Sequence, residues 1–476
     1  MSRNSQWVLA PIAAVAGLIA IVFFARTHPG DFSNETYISG ALLLQVIAVG
    51  VWHYEKVFFT LLMLMFVWAG TGLPYGSAAT SARWLVLAVA AFAGLIKWMK
   101  CHRQHFQSFD LVALMCALAA LVSVMVSALP QMALLKAISL LMLFLYGATG
   151  ARLAVLGREA NFIHGLVVCC EISVYLTLIF YFVFHNQFFG NSNSLGAVMG
   201  VLVSPVLAWA CAVAGPGTLR RRRMLALAVC WFLLYFSLSR AGIAAAICSS
   251  AILCIASKRR NLMMGTGLAL LLLLAAVQVM LPERSEEFVG SFRSSVLYKG
   301  KEREGLFGSR RTPWQRTLAV IDQHPWFGSG FGTSDIGIDR RDVSASTFET
   351  TEEIGREHGS SYLALVEWVG LLGALPFAML FMLLIHRIGA TFACLFRSLN
   401  LKHYSIPIAL VLTSGLVHGL FEDWIVAVGY YLTVLFWSFA FIFMELAPRR
   451  SSSAAQPFRL WSGPFETPAA AVALPR

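Results

Sequence analysis

Residues 359–385 read GSSYLALVEWVGLLGALPFAMLFMLLI. Glu367 is the single charged residue in these 27 positions. A helix needs about 20 mostly apolar residues to cross a hydrocarbon core. In lipid the backbone must satisfy its own polar groups, and an unbroken apolar run does so as a helix. The stretch therefore predicts a membrane-spanning helix. The rest of the chain repeats the pattern, giving spans at 7–25, 38–52, 57–70, 82–99, 109–128, 131–150, 162–184, 194–214, 224–238, 240–256, 262–281, 359–385, 404–421 and 424–446. Several boundaries are soft, so the expected range is twelve to fourteen spans.

Composition agrees. Of 476 residues, 58% are hydrophobic and 13% charged. A soluble domain carries about 25% charged residues, too many for this chain to match. A β-barrel would show short alternating segments instead. The net charge of +12 does not indicate nucleic-acid binding, because the basic residues sit in short clusters between apolar runs. That is how the positive-inside bias distributes them. With the N-terminus placed inside, the inner connections carry 19 Lys and Arg and the short outer ones 4, so both termini are expected in the cytoplasm. The stretch from Trp7 to Ala25 exceeds a signal-peptide core and reads as a retained first span.

The nine cysteines show no zinc-type spacing, and none lies in the long polar insert 282–357. They read as small buried apolar side chains. The chain divides into spans over 1–281, an outer loop over 282–357, further spans over 358–450 and a Ser-, Ala- and Pro-rich tail over 451–476. The tail composition predicts disorder. Within the loop, Thr312-Pro313 predicts a helix start, with Thr as N-cap and Pro in the first turn. Trp314, Leu318 and Ile321 then share one face, and the helix is expected to stop near His324-Pro325.

The orientation collects a set of polar residues on the outer face. Asn191 and Asn193 lie in GNSN, Arg240 in SRAG between two apolar runs, and Arg310, Arg311 and Arg316 around the loop helix. His358 stands where polar loop becomes apolar helix, and Glu422 and Asp423 occupy the last outer turn. A charge near hydrocarbon is costly and marks either a snorkelling residue or a site. A guanidinium suits phosphate because its planar fork donates two parallel hydrogen bonds. A histidine at such a junction serves either as a capping residue or as a general base. Lys136, Glu171 and Glu367 lie within spans, each expected to be paired or to face a cavity.

Five segments in order resemble the O-antigen ligase/polymerase superfamily. They are Gly190–Asn193, Leu238–Gly242, Gly308 through Trp314 to Gly330, His358 through Glu367 to Gly373, and His418–Glu422. The resemblance covers roughly 186–430. It departs at Gly359, which separates His358 from Ser360-Ser361-Tyr362, and at Glu422, where the family has Asp and Asp423 follows. The resemblance implies an all-α, GT-C-like bundle in the bacterial inner membrane, with its active face in the periplasm. It implies inverting glycan transfer without a metal or other cofactor. The donor would be a glycan on undecaprenyl diphosphate, and the acceptor lipid A-core for a ligase or another lipid-linked glycan for a polymerase. Membrane lipids surround the protein and no nucleic acid is involved. By the same resemblance Arg240 and Arg310 hold the diphosphate and His358 orients or deprotonates the acceptor. Asn191, Asn193, Arg311, Arg316, Glu422 and Asp423 are the implied substrate contacts. Two other readings stand beside it: a transporter or flippase, and a metal-using glycosyltransferase built on Asp31 and Glu35.

Overall fold

The computed structural model describes residues 55–71, 76–100, 106–185, 188–257, 308–333, 357–398 and 400–448. The spans expected at 7–25, 38–52 and 262–281, most of the insert and the tail lie outside the described residues.

Twelve helices are named here in chain order: α1 (Glu55–Ala69), α2 (Gly76–Lys100), α3 (Ser108–Ser123), α4 (Pro130–Tyr146), α5 (Glu159–Phe182), α6 (Ser192–Ala197), α7 (Thr218–Phe236), α8 (Arg240–Ala256), α9 (Gly308–Gln323), α10 (Ser361–Ser398), α11 (Ser405–His418) and α12 (Tyr431–Leu446). A π-turn carries α4 on through Arg152–Val155, and another joins α6 to Ser204–Val213. Each of the eleven spans expected within these residues corresponds to a helix. Six are long and apolar enough to cross a membrane, and the described residues contain no strand. The protein is an all-α polytopic membrane protein.

The short helices form the centre. Along α12 nearly every residue from Tyr431 to Met444 is buried, and α11 is similar. A helix that is apolar all round belongs inside. Rings of Phe144, Phe381, Phe436 and Phe441 pack in edge-to-face or tilted contacts around Trp437 and one another. The longer helices surround this post and turn Phe92, Leu111, Leu118, Ile179, Leu375 and Met382 outward. Such a belt suits acyl chains.

Among the described residues, several charges inside the bundle have partners. Arg152 meets Asp110 through two bonds, of 2.5 and 2.9 Å, and also donates to the Phe441 carbonyl. Glu171 accepts from Arg222 at 2.8 Å and faces Arg223. Lys136 donates to the Gly332 carbonyl at 2.5 Å. Removing one partner of the Arg152–Asp110 pair, buried on both sides, costs about 3–5 kcal/mol.

Two backbone arrangements set the end of the bundle where the polar residues gather. First, α6 and α8 touch without side chains between them. A Cβ on Gly242 would stand 2.3 Å from the Gly196 carbonyl oxygen, and one on Gly200 would stand 2.3 Å from that of Gly242. Small residues permit this approach in membrane bundles. Second, α10 is broken at Gly370, whose φ of 69° and ψ of 178° are not helical. The segment after α9 fills the break. Ser329 and Gly330 donate to the carbonyls of Glu367 and Trp368, while Leu371 and Leu372 donate to those of Pro325 and Trp326. The backbone groups freed by the break are thus satisfied inside protein, as membrane depth requires. The strap continues past Ser127, whose hydroxyl bonds that of Thr333 at 2.9 Å.

The loop helix differs from expectation at its start. It begins at Gly308, so Thr312 is not its N-cap and Pro313 lies inside it. The ion pairs of Arg310 hold a first turn that capping preference alone would exclude. Its buried residues include Arg310, Thr317 and Val320, while Leu318, expected on the apolar stripe, is exposed.

Candidate active site

The polar residues converge where α8, α9 and α10 begin and α11 ends. Arg240 is placed by a tight turn. The chain leaves α7 through Leu238, which takes a positive φ of 51°. Ser239 then caps α8, accepting from the Gly242 amide at 3.3 Å. Arg240 is the first residue of α8, partly exposed, and within electrostatic reach of Arg310 and Glu422.

Arg310 comes from the first turn of α9. One guanidinium nitrogen bonds Glu357 and another bonds Glu422. The two carboxylates differ in setting. The Glu422 side chain is 16% exposed and the Glu357 side chain 57%, so only Glu357 can swing freely into water.

The stretch from His358 to Ser361 is stapled to the turn after α11. The Ser361 amide donates to the carbonyls of Gly419 and Glu422, and its hydroxyl donates to the Glu422 carbonyl at 2.6 Å. The Ile425 amide donates back to that hydroxyl. Gly359, with φ of 70°, makes the bend, and its carbonyl accepts from the Trp314 indole at 3.1 Å. The extra residue between His358 and the helix is absorbed there.

His358 is 3% exposed. Asp423 Oδ2 accepts from its amide at 2.8 Å and lies 3.0 Å from its Nδ1. Its Nε2 lies 3.4 Å from the Glu367 carboxylate, and its ring meets Trp368 edge-on. Burial alone would lower the imidazole pKa, but the hydrogen bonds and charges of Asp423 and Glu367 outweigh it and raise it above 6.5. Burial likewise opposes ionisation of Asp423, yet its bonds to His358 hold it below 3.8. The linkage signs follow. The His358 contribution to stability is complete below pH 6.5 and is lost as pH rises through the raised value. The Asp423 contribution is complete above pH 3.8 and is lost as pH falls through the lowered value. The thermal midpoint in detergent is therefore expected to decline on the alkaline side, and to decline less in His358→Gln. An equal alkaline decline in both proteins would assign the effect elsewhere.

Next to this pair, His418 is buried and its Nδ1 accepts from the Trp424 indole at 2.8 Å. Its proton therefore sits on Nε2.

The structure brings together Arg240, Arg310, His358, Glu422 and Asp423. It also divides the two carboxylates that the sequence left undivided: Glu422 goes to Arg310 and Asp423 to His358. Asn191 serves as the N-cap of α6, accepting from the Ser194 amide at 2.7 Å. Asn193 is exposed in the first turn of α6. Arg311 and Arg316 are exposed on α9, turned away from the face that buries Arg310. Glu357 and Trp314 belong to the site and carried no sequence signal as ligands. Glu367 was legible as the lone charge in its run, but its partner was not.

The family model described as O-antigen ligase matches residues 225–378. This match supports the O-antigen ligase superfamily. It also supports an O-antigen ligase-like membrane glycosyltransferase. The ligase-matching stretch contains Arg240, Arg310, His358 and Glu367, and ends within α10. Glu422 and Asp423 lie beyond it and reach it only through the fold. No curated protein matches the chain.

Proposed function

We propose that this protein transfers a glycan from an undecaprenyl-diphosphate carrier to a hydroxyl of lipid A-core at the periplasmic face of the inner membrane, inverting the anomeric centre without a metal. One observation carries the reading: the Arg310 fork, with Arg240 beside it, is filled by two carboxylates, one of them exposed. A diphosphate has the charge and oxygen spacing to take the place of Glu357. The two guanidiniums would then stabilise charge as it builds on the leaving group, the term that dominates many active sites. The His358–Asp423 pair, adjoining through Glu422, supplies acid–base groups.

Gel analysis of surface polysaccharide in a deletion strain tests this. Free lipid-linked long chains are expected. Single repeat units would make the protein a polymerase, and unchanged glycans would remove both assignments.

The metal statement has its own test. Transfer by purified protein is expected to survive excess chelator, because two fixed cations already face the leaving group. Activity lost to chelator and restored by Mg²⁺ would put a metal into the reaction.

A further inference from the structure

Resting on the transfer reaction proposed above, we infer that Asp423 takes the proton of the acceptor hydroxyl, with His358 and Glu367 as buried positioning residues behind it.

The three groups form a line from surface to interior. The Asp423 side chain is 25% exposed, the His358 side chain 3% and the Glu367 side chain 0%. Both ring nitrogens of His358 face carboxylates, Nδ1 at 3.0 Å and Nε2 at 3.4 Å, and Trp368 covers the ring. No lone pair of the imidazole is presented to a substrate. Asp423 uses one oxygen, Oδ2, for both contacts with His358. Oδ1 makes neither of these contacts and is the oxygen placed to receive a hydroxyl. The neighbouring residue, Glu422, holds Arg310, so base and leaving-group cation sit on adjacent positions of one rigid turn.

Among the described residues, charged groups approach the imidazole from three elements. From α9, Arg310 is engaged by Glu357 and Glu422. From α10 comes Glu367, and from the turn after α11 comes Asp423. His358 holds Asp423 in one orientation through its backbone amide and Nδ1.

The step balances. The acceptor oxygen bonds to the anomeric carbon as the bond from that carbon to the diphosphate oxygen breaks. The electron pair leaves on the diphosphate, beside Arg310 and Arg240. The hydroxyl proton passes to Asp423 Oδ1 and from there to water.

Donor and acceptor lipids extracted from gene-deleted cells serve as probes, with purified protein in detergent. Asp423→Asn is expected to lower kcat by about 10²–10⁴-fold, the usual yield of a general base, with donor binding unchanged. Asp423→Glu should recover part of it. His358→Gln should cost less and should move the acid limb of the kcat profile to higher pH, since Asp423 then loses its partner; Glu367→Gln should cost less and leave that limb in place. A packing defect would lower kcat at all pH values without moving that limb.

Wild-type turnover in Asp423→Asn overturns the inference. So does a His358→Gln variant as inactive as Asp423→Asn with its limb unmoved, which would make the imidazole the base. If Asp423→Asn does not fold, the His358→Gln limb decides, and an unmoved limb overturns the inference. A wild-type protein inert on the extracted donor sinks the proposed reaction and this role together. An active wild type with an active Asp423→Asn sinks this role alone.

Discussion

Arg310→Ala is expected to abolish glycan transfer while leaving the protein inserted in the membrane. The side chain bridges Glu357 and Glu422 at the mouth of the site. Its removal takes away a fork suited to diphosphate and leaves two carboxylates facing the incoming anion. Loss of a single preorganised charge-stabilising donor costs about 10²–10³ in kcat. Here the repulsion adds to that loss, so donor binding should weaken as well. Arg310→Lys should recover only part of the activity, because an ammonium is a point charge and cannot hold both sides. Transfer and donor binding measured side by side check this. An alanine variant with wild-type transfer would remove Arg310 from the mechanism. Arg240→Ala should show the same kind of loss, since that residue lies within reach of the same charges.

Gly370→Ala is expected to inactivate the protein from a position that faces no substrate. The residue holds φ 69° and ψ 178°, a region essentially closed to other residues. Strain of this kind costs about 1–3 kcal/mol. The new Cβ would also stand 2.3 Å from the Trp326 carbonyl carbon and oxygen, which are backbone atoms and cannot yield. The opposing contact is as tight, with a Cβ on Gly328 falling 2.5 Å from Trp368 backbone. The strap must therefore lift, and its four backbone bonds to α10 go with it. Glu367 sits at that break, so the His358 cluster loses its buried carboxylate. Hydropathy is unchanged, so insertion should be normal. The readouts are a lowered thermal midpoint and new thiol accessibility at Ser329→Cys, a buried position of the strap. Gly389→Ala is the control, because nothing lies within 4 Å of its Cβ. Equal stability and activity in both variants would show the break to be dispensable.

Much of this architecture was legible beforehand. The apolar run around Glu367 predicted a span, and so did every other run within the described residues. The Ser239-Arg240 junction read as a charged corner and proved to be the capped start of α8. The interruption of α10 was not legible. Gly370 lies in an apolar run with no proline beside it, and the group that fills the gap is backbone from 325–330, about 40 residues earlier in the chain. The start of α9 is hidden from the local pattern for a related reason, since Arg310 is held by residues that this pattern does not contain.

The amino-acid order by itself determined that this is a helical membrane protein and where its apolar helices lie within the described residues. Hydrophobic transfer is a local, additive quantity, so about 20 consecutive side chains suffice to decide whether a segment enters lipid. Only the tertiary structure decided that Glu422 serves Arg310, that Asp423 and Glu367 enclose His358, and that α10 is opened and refilled. Hydrogen bonds and ion pairs act over a few ångströms, and nothing in a linear chain tells which distant residues packing will bring within that reach.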